Sequence, residues 1–142
     1  MSEPITVLVD TRERYPYRFA GRKDVATERI ALPAGDYGVQ IGNALWAVVE
    51  RKALENLASC LSDGTLAFQM QKLSEVPRAA IVVEGRYAAL LGLFASRASF
   101  IADVLARLQL RYPEIQIVFA DSRRFAEEWT YRYLAAAYTD EP

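Results

Sequence analysis

An α/β fold, with a central mixed sheet flanked by helices, is what this sequence predicts, and three observations predict it. Short apolar runs rich in β-branched residues, at positions 5–9, 79–83 and 115–119, have the length and composition of buried strands. Between and after them lie stretches whose apolar residues recur at helical spacing. A Gly42-Asn43 step joins two further extended segments, so at least one strand pair is a hairpin. At 142 residues, of which 52% are hydrophobic, the chain has enough material for one core, and the expectation is a single domain over 1–142.

The elements follow in order. The run Ile5-Thr6-Val7-Leu8-Val9 reads as a buried strand that delivers Asp10 at its C-terminal end, where a carboxylate either faces a site or serves a turn with Thr11. Next, Arg14, Arg18, Arg22 and Lys23 interleave with Tyr15, Tyr17 and Phe19, a composition that grips phosphates and stacks on bases. The alternative is a solvated loop whose aromatics cover the edge of the core. Residues 27–32 partly alternate and form a strand, and Pro33-Ala34 turns the chain into a strand over 35–41. There Tyr37, Val39 and Ile41 share one face, and Asp36, Gly38 and Gln40 share the other. In the strand over 45–52, Glu50 and Lys52 project together, while Arg51 lies with Leu45, Ala47 and Val49. Leu54, Leu57, Ala58 and Leu61 then mark a helix ended by Ser62-Asp63-Gly64, and Leu66, Gln69, Met70 and Leu73 mark a second. Residues 99–110 read as a helix, and Ser122 caps a last helix that runs through Ala137.

Composition excludes several chemistries. With one cysteine and no histidine, the chain offers neither an internal disulfide nor Cys/His zinc sites nor Ser-His-Asp or Cys-His catalysis, and Cys60 reads as a small buried hydrophobe. Seventeen basic against eighteen acidic residues leave a net charge of -1, so any nucleic-acid contact must come from a local patch. No apolar run approaches the roughly 20 residues of a membrane span, and no secretory pattern opens the chain. The expected setting is soluble and without membrane association: cytoplasmic, nucleoid-associated, or nuclear in a eukaryote.

Asp36, Glu50 and Lys52 carry the candidate chemistry. Two carboxylates suit a hard divalent ion such as Mg²⁺ or Mn²⁺, the carbonyl of Arg51 could add an oxygen, and an ammonium beside them stabilises charge developing on a phosphorus. The plainer reading of an isolated E-x-K is a surface salt bridge.

Gly35-Asp36 followed by Glu50-Arg51-Lys52, with Val9-Asp10-Thr11-Arg12-Glu13 upstream, resembles the nuclease domain of the XPF family of structure-specific endonucleases. That resemblance covers about residues 5–137 and implies a restriction-endonuclease-like α/β fold. It implies Asp36 and Glu50 as metal ligands with Asp10 close to the metal, Lys52 as a catalytic cation, and Glu13 and Arg12 in support. It further implies cleavage of branched DNA, as flaps, forks or bubbles, often by dimers whose tandem helix-hairpin-helix domain grips the duplex. The chain lacks room for that domain, which leaves a homodimer and a separate duplex-binding subunit as expected partners. Two departures stand out: Asn56 holds the place of the signature's last Asp, and Thr65 that of an Arg before Leu66 and Gln69. Rival readings are a non-catalytic DNA-binding or dimerisation module derived from such a nuclease, and a hydrolase of a small phosphate ester.

Register makes the expectation sharp. With a plain two-residue loop Asp36 would face Val49, leaving Glu50 on the opposite side of the sheet. The site therefore requires a three-residue loop, pairing Ile41 with Leu45 and Gln40 with Trp46, or one β-bulge between Asp36 and Glu50.

Overall fold

The computed structural model describes residues 4–140, which form a six-stranded mixed sheet with helices on both faces. The strands are β1 (Ile5–Asp10), β2 (Val25–Ile30), β3 (Tyr37–Ile41), β4 (Ala44–Ala53), β5 (Arg78–Glu84) and β6 (Gln116–Phe119). Their spatial order is β2-β1-β3-β4-β5-β6, and β3 alone runs against its neighbours. The other five strands consequently point the same way. Asp10, Lys52 and Glu84 all emerge at one end of the sheet, where the chain also enters β3 after Asp36.

Helices α1 (Leu54–Asp63) and α2 (Thr65–Leu73) link β4 to β5; α3 (Tyr87–Leu93), a 3-10 turn (Ala95–Arg97) and α4 (Ala98–Arg111) link β5 to β6; α5 (Arg123–Thr139) follows β6. Strand alternation sorts the core into two layers. Val48, Ile81 and Val83 pack with Leu57, Leu61, Leu66, Met70, Leu90 and Ile101 of α1 to α4. Val7, Val9, Tyr37, Val39, Val49 and Val82 pack with Ala126 and Leu134 of α5. Gly64 separates α1 from α2 in the left-handed region at φ 83°, a conformation that costs glycine little. At the start of α5, the Ser122 hydroxyl accepts the Phe125 N–H at 3.2 Å, as its position predicts.

Of the two hairpin geometries expected, the β-bulge is formed and the three-residue loop is not. Gly42-Asn43 does form a two-residue connection, pairing Ile41 with Ala44, and the odd residue is absorbed further along by a bulge that leaves Trp46 without a partner between Leu45 and Ala47. Gln40 therefore faces Leu45 and not Trp46, while Gly38 faces Val48 as expected. The bulge also separates Leu45 from Ala47 and Val49. Leu45 packs on the α1–α4 side, and Trp46 packs with Ala47 and Val49 on the α5 side. There the indole N–H of Trp46 donates to the Ala137 carbonyl at 2.8 Å, so the extra residue is anchored by the last helix.

Helix α3 was not anticipated from the sequence. Only Leu90 of its seven residues is buried, and no side chain caps its start, so neither periodicity nor capping signals it. Among the described residues no single helix is long and apolar enough to cross a membrane; the bent pair around Phe94 turns by 103° and buries Leu90, Ile101, Leu105 and Leu108 in the core.

Candidate active site

Beyond the bulge, β3 and β4 pair Tyr37 with Val49, and the residue one step further, Asp36, shares the cleft that Glu50 lines. Two hydrogen bonds lock that step: the Asp36 N–H donates to the Val49 carbonyl at 2.9 Å, and the Arg51 N–H donates to Asp36 Oδ2 at 2.8 Å. The approach requires Gly35. Its φ is +78°, and a Cβ there would lie 2.8 Å from Val48 Cβ, so a side chain would meet strain and a clash together.

Lys52 shares the face of Glu50, and its Nζ lies 3.3 Å from Glu50 Oε2. It is only 5% exposed. Cys60 Sγ is buried and accepts weak hydrogen bonds from Lys52 Nζ at 3.8 Å and Gln69 Nε2 at 3.7 Å. Burial, and then the neighbouring charge of Glu50, push the Asp36 carboxyl up to about 8. Glu50 is likewise raised by burial, a shift that the ion pair with Lys52 opposes without cancelling. The two titrate as an interacting pair.

The other expected residues divide into supports. Asp10 is 1% exposed, and its carboxylate is already held: Oδ1 accepts the Leu32 N–H at 2.8 Å and Oδ2 accepts Arg12 Nε at 2.7 Å. It thereby braces the 32–34 turn that leads into Asp36. Burial raises its pKa, but the bonds from Arg12 and Leu32 outweigh burial, and the net shift is downward. Glu13 accepts from the Tyr37 hydroxyl at 2.7 Å and pairs with Arg51 at 3.2 Å. The Arg51 side chain leaves the Glu50 face altogether and donates from Nε to Glu84 at 2.8 Å, above the ring of Tyr17. Its contribution at the carboxylates is through the backbone.

Of the basic segment, Arg12 reaches the cleft and the rest spread out. Arg14, Arg18 and Lys23 are exposed, while Arg22 stacks over Tyr131 at 3.9 Å on the α5 side. Tyr17 and Phe19 are buried against Tyr37, so for them the core-edge reading holds and base-stacking does not; only Tyr15 of the three aromatics is exposed. The loop's aromatics fill the core edge because Tyr37 offers them a stacking partner 4.8 Å away. Glu84, outside the motifs of the sequence, accepts from Tyr17, pairs with Arg51 and lies 4.0 Å from Arg123. The available signal was its position, since it ends an apolar strand just as Asp10 does.

An open cleft of about 510 Å³ runs over Asp36 and Glu50, bounded by Asp10, Arg12 and Glu13 on one side and α2 on the other. Such carboxylates in a groove at the C-terminal ends of strands have known relatives. The model of the ERCC4 domain matches residues 9–133.

The chain belongs to the ERCC4 domain family. This ERCC4 domain superposes on XPF from Aeropyrum pernix in complex with DNA with a TM-score of 0.77 at 28% identity, over 95% of this chain and 65% of that one. A second structure, XPF from Aeropyrum pernix, gives 0.73 at 27% identity, over 96% of this chain and 62% of that one. The ERCC4 chain thus spans just under two thirds of their length. No curated protein matches it in sequence. The resemblance to the XPF nuclease domain and its restriction-endonuclease-like mixed sheet are established by these likenesses.

Proposed function

We propose that this ERCC4 domain is a DNA endonuclease that uses Mg²⁺ or Mn²⁺ to hydrolyse phosphodiester bonds in branched DNA. The observation that carries the reading is that a bulged hairpin puts Asp36 and Glu50 in one cleft, with the buried ammonium of Lys52 at 3.3 Å from Glu50. Among the described residues no three Asp, Glu or Cys side chains form a ready-made cage. Two carboxylates nevertheless fit a Mg²⁺-type ion, which binds through one or two of them and keeps several waters. Burial raises both carboxyls, the charge of Glu50 adding to the rise at Asp36 and that of Glu13 to the rise at Glu50, and a bound cation would favour the ionised form of each.

Asp36 and Glu50 would hold the ion, with the Arg51 carbonyl as a further oxygen. When bound, the ion supplies a polarised phosphoryl oxygen and an acidified water. Lys52, kept from solvent and oriented by Glu50, stabilises the negative charge that develops on the phosphate or positions the attacking water. Asp10 fixes the turn before Asp36, with Arg12 held to it, while Glu13 and Arg51 fasten the 13–17 segment to β4. These are positioning roles. Arg12, Arg14, Arg18, Arg22 and Lys23 are proposed as the DNA-binding set, with Arg12 nearest the reacting phosphate. A homodimer and a separate duplex-binding subunit are the proposed partners, and the XPF structure with DNA supports the substrate class.

The test is incubation of the purified chain with labelled fork, flap, bubble and linear DNA, with and without Mg²⁺ or Mn²⁺. Metal-dependent cutting of the branched forms is expected, lost in Glu50→Gln. Absence of cutting in every substrate and metal would leave the domain a non-catalytic DNA-binding or dimerisation module.

A further inference from the structure

Helix α2 turns two different faces outward and inward. Leu66, Met70 and Leu73 are buried, whereas Thr65, Phe68, Gln69 and Lys72, at spacings of three, four and seven, look into the cleft that contains Asp36 and Glu50. Phe68 is 71% exposed there. A phenyl ring in water at a helix position that any polar residue could fill forgoes the stabilisation of burial. Two cations flank the same cleft, Lys72 one turn further along α2 and Arg12 across from it, the latter's side chain 76% exposed while bound to Asp10. An exposed aromatic ring in one cleft with two cations, and with carboxylates proposed to act on a phosphodiester, is an arrangement that receives an unpaired nucleotide: the base stacks and the backbone is neutralised.

We propose that Phe68 is a stacking platform for an unpaired base next to the scissile phosphate, so that the cleft prefers DNA with a single-stranded arm. This rests on the nuclease reading for the identity of the ligand, and it adds the part of the substrate that the cleft selects. A base in a duplex is already stacked on both faces and cannot use the ring. Stacking on Phe68 therefore separates a fork or flap from plain duplex without any base-specific hydrogen bond. Lys72 and Arg12 would neutralise phosphates on either side of the stacked base.

The experiment measures binding of the full chain to a fluorescein-labelled fork and to a blunt duplex in Ca²⁺, together with the quenching of 2-aminopurine placed in the unpaired arm. Phe68→Ala should weaken fork binding by on the order of tenfold or more, abolish the quenching and leave duplex binding unchanged. Phe68→Trp should restore both fork signals. Phe68 is exposed, so neither variant threatens the fold, and a thermal melt of each checks this. Equal fork affinity in wild type and Phe68→Ala, or an equal loss on fork and duplex, overturns the platform. Cleavage of the same fork by wild type in Mg²⁺ separates the two readings. Binding and quenching that depend on Phe68 without any cleavage remove the nuclease assignment and leave the platform; cleavage with no effect of Phe68 does the reverse.

Discussion

Asp36 and Glu50 set the behaviour of the site because their carboxyls share one cleft and are largely withdrawn from water. Both carboxyls titrate above their unfolded values, so the folded, metal-free domain binds more protons than the unfolded chain. It must lose stability as pH rises from about 4 toward the folded value of about 8. Asp36→Asn keeps an acceptor for the Arg51 N–H and removes the buried charge together with its repulsion by Glu50. Thermal denaturation in EDTA should show Asp36→Asn more stable than wild type near pH 8 and no better near pH 4, and added Mg²⁺ should close the gap by stabilising only wild type. The same variant should lose cleavage. Lys52→Ala should reduce single-turnover cleavage by about 10²–10³-fold while Mn²⁺ binding by calorimetry persists. Loss of the ion in that variant would move Lys52 from the reaction to the integrity of the site.

At the scale of elements, the turn into β3 and the end of β5 hold the site in place. Gly35→Ala places a side chain against Val48 at a positive φ, at a cost of about 1–3 kcal/mol. Urea unfolding should show that loss, accompanied by a drop in cleavage larger than stability explains, since Asp36 moves with the turn. Glu84→Gln removes the charge that holds Arg51 and accepts from Tyr17. Burial works against the Arg51 guanidinium, but Glu84 above all, with Tyr17 and Glu13 after it, more than compensates, and its pKa is raised. A loss of about 1.5–3 kcal/mol is expected from weakening a charged hydrogen-bond set, read by the same unfolding experiment.

For the whole molecule, a net charge of -1 makes DNA affinity depend on where the cations sit. Each phosphate contact on duplex DNA contributes about 0.9 to the slope of log K against log salt. Arg12→Ala should flatten that slope by one contact, and Arg22→Ala should change it less, because Arg22 is spread over Tyr131 away from the cleft. An equal effect of the two would place the strand across α5. The proposed homodimer draws on exposed apolar residues beyond position 90, such as Phe94, Phe100 and Leu110. Sedimentation across a wide concentration range should show it, and a monomer throughout would return those side chains to the solvent-facing surface.

The sequence by itself determined the strands, most of the helices and the pair of carboxylates. Strand alternation placed Glu50 with Lys52, and parity across the loop already required one odd residue between Asp36 and Glu50. These are local properties: side-chain direction and turn chemistry are set within a few residues. Tertiary structure decided where the odd residue went. Gly-Asn kept its tight turn because the Trp46 indole gains a bond to Ala137, ninety-one positions away, and no local pattern encodes that partner. Packing likewise sent Tyr17 and Phe19 into the core through Tyr37, and the Arg51 side chain to Glu84. Helix α3 was hidden because a single buried leucine leaves no periodicity to read. Phe68 shows the same division: its place on one stripe of α2 follows from helical geometry, but only the assembled sheet puts that stripe over Asp36 and Glu50.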